Sequence, residues 1–333
     1  MNPIIKNVHK YNYSLQIFND KLWSSGRTLE TNLERMHTHV VILDLDLEFV
    51  SKRNIEMIDA KLSVVNDTIV LHNQYSTHHT HPITIWKDIQ IDPITISGKN
   101  VCGIFSHKDG MLMVYYNGDV ELYQSETNRK IVIEIGKMTI SVIPKIYVAG
   151  DCLCKAYDTH PTQIWNISTG QHITIQGLKF IVEVMIIHKN ILWLGSCDGI
   201  IERWNINTKK CVQTIHHYKS GTRITNRIRS MTEWKNGICV GLVSKTIIIY
   251  NSHGINISEF NVTYTPMNIL VHNTDLYIDT FLGNIELYKG IIPTVPTGPL
   301  SLMELCCLKI VQYKIVPKAN TLPETLVQLL EQY

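Results

Sequence analysis

Hydrophobic positions along this chain fall in short runs rather than in long stretches. From about residue 14 to residue 290, β-branched and aromatic residues alternate with polar positions, and Gly, Asn, Asp and Ser separate the runs. A period of two residues predicts β-strands, and these separators predict tight turns. The clearest segment, ILWLGSCDGIIERWNINTKKCVQTI, predicts a turn at Cys197-Asp198-Gly199 and strands at 191–196, 200–205 and 210–215.

One pair of positions sets the spacing of a repeat: a large apolar residue and then a polar residue at the predicted end of each third strand. Successive pairs are 41, 37, 42, 39, 46 and 38 residues apart. A repeat of about forty residues holds four short strands. The pairs are Leu45-Asp46, Trp86-Lys87, Tyr123-Gln124, Trp165-Asn166, Trp204-Asn205, Tyr250-Asn251 and Tyr288-Lys289.

These repeats predict an all-β fold. Four-stranded sheets protect their faces and edges when they pack face to face around an axis, as the blades of a β-propeller. We therefore predict a seven-bladed propeller over residues 1–290, in which Pro3–Val8 supplies the outer strand of the last blade and closes the ring. The alternative is a β-sandwich with irregular turns, because short alternating strands alone do not specify a propeller.

The predicted units resemble WD repeats over residues 14–290, most strongly in 182–215. There, the Gly195-Ser196-x-Asp198-Gly199 turn and Trp204-Asn205 nearly match the family's pattern of a turn, a strand and a Trp-Asp pair. The resemblance implies that Asp198, Gly199 and Trp204 have structural roles, with Asp198 in a hydrogen-bonded network. An intact Trp-Asp pair does not occur at these positions, and each unit lacks the family's Gly-His opening dipeptide.

The pattern changes after residue 290. Residues 291–300 (IIPTVPTGPL) contain three prolines and predict a short, stiff linker. Residues 301–333 then have helical periodicity, and Ser301 and Glu304 have the spacing of a capping box. A first apolar stripe is formed by Leu302, Leu305, Cys306 and Ile310, and a second by Leu322, Leu326, Leu329, Leu330 and Tyr333.

This tail resembles a SOCS box, a helical adaptor at the C-terminus of its family's members. The resemblance rests on Ser301-Leu302-x-x-x-Cys306-x-x-x-Ile310, followed by Leu322-Pro323 where the family contacts a cullin. It implies elongin binding by Ser301, Leu302, Leu305, Cys306 and Ile310, and cullin binding by Leu322, Pro323 and Leu326. Thr325 stands where the family usually has a second proline, so the segment that implies cullin binding departs from the family's pattern at this position. The alternative is a helical tail that braces the propeller.

Composition narrows the remaining function classes. A formal net charge of +2 gives no overall electrostatic signature of nucleic-acid binding. The chain has no run of apolar residues long enough to cross a membrane and no signal-peptide pattern, so we expect a cytoplasmic or nuclear protein whose eight cysteines are reduced. The run Thr77-His78-His79-Thr80-His81 predicts solvated histidines rather than zinc, and Cys152 and Cys154 predict ordinary strand cysteines. We expect no metal, no cofactor and no catalysis by this chain.

The segment His216–Arg229 is a candidate surface for binding a target. It places Tyr218, Lys219, Arg223 and Arg227 in one predicted connection between blades. A basic surface with an aromatic residue suits an acidic or phosphorylated peptide. The alternatives are a solvated connection and a site for RNA or phosphoinositide.

Together these features predict a substrate receptor of a ubiquitin ligase. By the two resemblances, the propeller would bind a target protein, and the tail would recruit elongin C, elongin B and a cullin-RING module. Catalysis would then belong to the recruited enzymes. A WD-repeat scaffold with a bracing tail is the second hypothesis.

Overall fold

The structure is a computed structural model of the chain. It describes residues 3–7, 11–27, 38–55, 60–65, 68–73, 83–86, 94–96, 101–108, 110–115, 119–124, 129–134, 145–156, 162–175, 178, 180–217, 226–280 and 282–292. The described residues form seven antiparallel four-stranded sheets.

The strands follow one another along the chain, blade by blade. Strand β1 spans Ile4–Asn7. Blade 1 consists of β2 (Tyr11–Phe18), β3 (Lys21–Arg27), β4 (Thr38–Leu43) and β5 (Phe49–Ile55). Blade 2 consists of β6 (Ala60–Val64), β7 (Ile69–Asn73), β8 (Ile83–Trp86) and β9 (Ile94–Ile96). Blade 3 consists of β10 (Val101–His107), β11 (Gly110–Tyr115), β12 (Asp119–Gln124) and β13 (Arg129–Glu134).

The remaining blades repeat the same order. Blade 4 consists of β14 (Lys145–Ala149), β15 (Cys152–Ala156), β16 (Thr162–Asn166) and β17 (His172–Ile175). Blade 5 consists of β18 (Val182–His188), β19 (Ile191–Ser196), β20 (Ile200–Asn205) and β21 (Lys210–His216). Blade 6 consists of β22 (Ile228–Trp234), β23 (Gly237–Leu242), β24 (Thr246–Asn251) and β25 (Asn256–Asn261). Blade 7 consists of β26 (Pro266–His272), β27 (Asp275–Thr280), β28 (Asn284–Tyr288) and, as its fourth strand, β1.

The seven sheets form a closed ring. The first strand of each blade contacts the first strands of both neighbouring blades, from β2 round to β26 and back to β2. The ring closes through the N-terminal strand, because Ile4 lies opposite Leu287 and Asn7 opposite Asn284 in the β1–β28 ladder. This arrangement confirms the predicted seven four-stranded blades and the closure by the N-terminal segment, and it excludes the sandwich.

The core lies between the blades. The described buried residues form seven apolar clusters, each between two adjacent blades. Neighbouring residues of one strand serve different clusters: Leu192 packs toward blade 4 and Trp193 toward blade 6. Both faces of a blade are therefore apolar, which is why inner strands such as β11 and β23 are buried throughout.

The recurring apolar–polar pair has a structural explanation at the turn after the third strand. Asn205 Oδ1 accepts a hydrogen bond from the amide of Thr208, at 2.9 Å, and Asn251 Oδ1 accepts from the amides of His253 and Ile255. In blades 5 and 6 the polar residue thus caps the turn, while the large residue before it, Trp204 or Tyr250, packs between blades.

The predicted pair Leu45-Asp46 is wrong by two residues. Strand β4 ends at Leu43, and Asp44 Oδ1 accepts hydrogen bonds from the amides of Asp46 and Glu48. The pair that is equivalent to the others is therefore Leu43-Asp44. The sequence repeats Leu-Asp at 43–46, so the pattern alone could not separate the two registers.

Polar side chains also fasten adjacent blades. The guanidinium of Arg203 in blade 5 donates to the carbonyls of Ser252, at 2.7 Å, and His253 in blade 6, and lies 4.5 Å from the centroid of the Trp193 ring. Burial lowers the pKa of Arg203 to about 10. Because these partners are about fifty residues away along the chain, the sequence pattern gave no sign of this contact.

No helix within the described ranges has the length and apolar character that a membrane crossing requires.

Candidate interaction face

The propeller has two faces. In each blade, the turns between strands one and two and between strands three and four lie on one face, here called the turn face. The turns between strands two and three, together with the connections between blades, lie on the opposite face, here called the connection face. The described ends of the predicted target-binding segment, residues 216–217 and 226–229, lie at the connection face.

The turn between β19 and β20 is the best described part of this face. Ser196 Oγ accepts hydrogen bonds from the amides of Asp198, at 3.2 Å, and Ile200, at 2.8 Å. Gly199 has a φ of +78°, a conformation that L side chains rarely adopt. Asp198 and Gly199 therefore lie in the predicted turn, and the side chain that caps its amides is Ser196, which the sequence reasoning did not single out.

The third residue given a structural role, Trp204, lies at the other end of β20, on the turn face. Its indole Nε1 donates to Glu202 Oε2 at 2.8 Å, and the half-buried ring packs against the apolar cluster between blades 4 and 5.

Both described ends of the basic segment contact the Gly199 turn. The amide of His217 donates to the Gly199 carbonyl at 2.9 Å. A Cβ atom at Gly199 would lie 2.8 Å from both Cβ and the carbonyl oxygen of Asn226. The Tyr250 hydroxyl in blade 6 also hydrogen-bonds to His217 Nε2, so the base of the segment is fixed to two blades.

Of the four predicted target contacts, the structure describes Arg227. Its guanidinium forms an ion pair with Glu183 at 2.7 Å, which links blades 5 and 6; the Arg227 side chain is 38% exposed and that of Glu183 is 11% exposed. Tyr218, Lys219 and Arg223 lie outside the described residues, so the grouping of the four stays a prediction.

A β-bulge recurs near the start of the first strand, where the strand meets the connection face. It occurs in blades 1, 3, 5, 6 and 7, for example between Val101 and Gly103 and between Val182 and Val184. An extra residue in one strand re-aims a side chain. The extra residues with described side chains are Cys102, Glu183, Arg229 and Met267. The alternation of the sequence gave no signal for these bulges.

The predicted elongin-binding residues (Ser301, Leu302, Leu305, Cys306 and Ile310) and cullin-binding residues (Leu322, Pro323 and Leu326) lie outside the described residues. The last described residue is Ile292, which is buried in the cluster between blades 6 and 7 and donates its amide to the Thr274 carbonyl at 2.9 Å. Thr274 lies in a turn of the turn face, so the chain leaves blade 7 on that face.

Among the described residues, no group of three or more His, Cys, Asp and Glu side chains could hold a metal ion. Cys154 is buried between blades 4 and 5, and burial raises the pKa of its thiol. His78, His79 and His81 lie outside the described residues.

Comparison with solved structures identifies the architecture. The WD40 beta propeller domain of Doa1 superposes with a TM-score of 0.61 at 11% identity, over 85% of this chain and 94% of that one. The fold is that of a seven-bladed WD40 β-propeller. The computationally designed Ika8 protein superposes with a TM-score of 0.58, also at 11% identity, over 85% of this chain and 97% of that one. A scan against protein-family models and a search of curated proteins both find no match.

At 11% identity the likeness establishes the fold alone, so function has to be argued from the residues of this chain.

Proposed function

We propose that this protein is the substrate receptor of an elongin–cullin–RING ubiquitin ligase that works in the cytoplasm or nucleus. The observation that carries the proposal is the Ser301-Leu302-x-x-x-Cys306-x-x-x-Ile310 stripe, which follows a proline-containing segment behind a complete propeller. The propeller binds a target protein, and the tail recruits elongin C, elongin B and a cullin. Ubiquitin transfer belongs to the recruited enzymes.

The geometry of the propeller is compatible with two partners at once. The ring is complete without the tail, since β1 supplies the last outer strand. The chain leaves blade 7 on the turn face, whereas the basic segment begins and ends on the connection face. A target on the connection face and an elongin-bound tail on the other side would therefore not compete for the same surface.

Elongin recruitment follows the rules of helix-in-groove recognition. A helix from Ser301 would present Leu302, Cys306 and Ile310 on one face, and a partner groove would cover the stripe that so short a hairpin cannot bury by itself.

Replacement of Leu302 by Ala should weaken elongin binding by about 2–4 kcal/mol, because a buried anchor near the centre of an interface carries much of the affinity. Titration of the full chain with purified elongin B–C measures this loss directly. An unchanged affinity would remove Leu302 from the interface.

We propose that the cullin is contacted by Leu322, Pro323 and Leu326. Thr325 replaces the second proline of the related segment, and proline restricts φ where threonine does not. We therefore expect elongin to bind more tightly than the cullin does, and Thr325→Pro to strengthen cullin association without a change in elongin affinity.

Co-purification provides the test of recruitment. Elongins B and C should be recovered with the full chain and lost with a chain that ends at Thr297. Equal recovery with the two chains would exclude the tail as the elongin-binding element and, with it, the receptor hypothesis.

The second candidate function is a scaffold whose tail braces the propeller, and one observation favours it. On the outer strands of blades 7 and 1, four apolar side chains are exposed near the turn face, where the chain leaves the ring: Ile4 (45%), Ile5 (44%), Phe49 (60%) and Val50 (42%). A bracing tail would cover them, so removal of residues 298–333 should lower the melting temperature without any partner. The receptor hypothesis predicts little change.

A further inference from the structure

Four exposed lysines lie at the turn face of blades 5 and 6. They are Lys189 between β18 and β19, Lys209 and Lys210 between β20 and the start of β21, and Lys235 between β22 and β23. The turns that carry them are in contact. The amide of Ile206 donates to the carbonyl of Asn190 at 3.1 Å, and His188 Nδ1 hydrogen-bonds to Glu233 Oε1 at 2.8 Å. The four lysines therefore belong to one continuous surface, here called the lysine patch.

The positive charge of the lysine patch is not balanced by its surroundings. None of the four lysines forms an ion pair with a described residue. The buried guanidinium of Arg203 adds a fifth positive charge, and its described acceptors are neutral oxygens. The turn-face ends of the two blades contain a single carboxylate, that of Glu233, which is already engaged with His188. These ends comprise residues 188–191, 205–210, 233–237 and 251–256.

Two of these lysines occupy left-handed backbone positions. The φ angle is +48° at Lys189 and +58° at Lys209. Glycine adopts this region without strain, whereas a side chain does not. Blade 4 has Gly170 at the position equivalent to Lys209, because each donates its amide at 2.9 Å to the carbonyl four residues earlier. Blade 5 thus keeps a lysine where glycine would be less strained, and an outlier of this kind favours a functional role for the side chain.

The other turns of this face favour one class of anionic ligand. An anionic membrane or a long nucleic-acid duplex that lay flat across the turn face would meet carboxylates as well as the lysines, and like charges repel. An acidic peptide segment that is confined to blades 5 and 6 would not meet them. The carboxylates are those of Asp151 in blade 4, Asp275 in blade 7, and Asp44, Asp46 and Glu48 in blade 1.

We propose that the lysine patch docks an acidic segment of a partner protein, one with several Asp or Glu side chains in succession. The ammonium groups pair with its carboxylates, and the charge of Arg203 adds attraction from below the surface. The patch lies on the opposite face from the predicted target-binding segment, so the two surfaces can be occupied together. The inference does not depend on elongin recruitment.

The test uses the full chain and a fluorescein-labelled hexaglutamate peptide, with labelled hexaglutamine as the neutral probe. Titration followed by fluorescence anisotropy at low ionic strength should show binding of hexaglutamate and not of hexaglutamine. Added salt should weaken the binding, because exposed charges are screened.

The double variant Lys189→Asn, Lys209→Gly removes two charges and suits the left-handed backbone, which asparagine and glycine both tolerate. We expect its affinity for hexaglutamate to fall about fivefold, the combined scale of two exposed ion pairs, and its melting temperature to stay equal or rise. Lys235→Gln provides a second variant at the blade 6 end of the patch. Lys245→Asn is the matched control, because Lys245 is also exposed and has a φ of +63° but lies on the connection face.

The proposal is overturned if hexaglutamate does not bind the wild-type chain. It is also overturned if Lys245→Asn lowers the affinity as much as the double variant does, since the peptide would then bind elsewhere. Binding of a DNA duplex or of phosphatidylserine vesicles through the same lysines, without binding of hexaglutamate, would contradict an acidic protein segment as the ligand.

Discussion

At the scale of single residues, Gly170 and Gly199 show two different reasons why a position requires glycine: a left-handed backbone, and a backbone that is also packed too closely for a side chain. Gly199 and Gly170 both have a left-handed φ, +78° and +68°, but a Cβ atom would collide with Asn226 at Gly199 and meet nothing within 4 Å at Gly170. We expect Gly170→Ala to cost about 1 kcal/mol of stability for backbone strain, and Gly199→Ala about 1–2 kcal/mol more. Urea unfolding of both variants measures the difference. Equal losses of stability in the two variants would mean that the connection between blades 5 and 6 does not pack against the Gly199 turn.

Asp151 provides a pH-dependent contact between blades 3 and 4. Hydrogen bonds from Lys108, Ser168 and His107, at 2.9, 2.9 and 3.0 Å, hold the pKa of its carboxyl down at about 2. A lowered carboxyl pKa stabilises the fold above the unfolded pKa of about 4, and this contribution is lost as the pH falls toward 2.

Asp151→Asn should therefore be less stable than wild type at neutral pH, by at most about 1 kcal/mol because the carboxylate is partly solvated. The difference should shrink between about pH 4 and pH 2. Unfolding free energies of the two proteins over this range provide the measurement. A gap that stays constant with pH would show that the charge of Asp151 is not what stabilises the contact.

The residues of the site were less predictable from sequence than the strands that carry them. Asp198 and Gly199 could be recognised because they lie within one local turn. Arg203, which links blades 5 and 6, could not, because its surroundings come from a neighbouring blade and depend on which face of a strand packs there. Local alternation determines the two faces of a strand but not which blade covers each face.

At the scale of elements, strand pairing within a blade follows from short hairpins, and the predicted strands of blade 5 agree with the structure almost residue for residue. The bulges in the first strands were not predictable, since an extra residue leaves the apolar alternation readable on either side of it. The Leu45-Asp46 error has a similar origin, because a repeated dipeptide fits the pattern in two registers.

Strand β1 closes the described ring, because it pairs with β28, the last described strand in the sequence. Deletion of residues 2–8 removes the partner of β28, and each unmade backbone hydrogen bond costs about 1 kcal/mol. Hydrogen exchange of the β28 amides that face β1 should accelerate by at least roughly tenfold. The third strand of blade 6, β24, keeps its partner β25 and serves as the internal control. Unchanged protection in β28 would show that β1 does not hold the blade.

At the scale of the whole molecule, the apolar residues that hold the propeller together lie between the blades, and the two faces are built by other residues. The seven clusters between blades stabilise the ring, and the turn face and connection face leave room for different partners. The repeat near forty residues predicted this architecture, because each unit buries its faces only against its neighbours. It predicted no ligand, because binding residues on such a scaffold need not follow the repeat.

The central claim is that the tail recruits elongin, and the adjacent cysteines 306 and 307 test it most directly. On a helix from Ser301, Cys306 would belong to the apolar stripe and Cys307 would lie about 100° further round the helix, outside that stripe, while an Asp at either position costs the helix the same propensity. Calorimetric titration of elongin B–C into the full chain should show affinity lowered on the order of a hundredfold by Cys306→Asp, and nearly unchanged by Cys307→Asp. Equal affinities for the two variants, or no binding by the wild-type chain, would contradict the account.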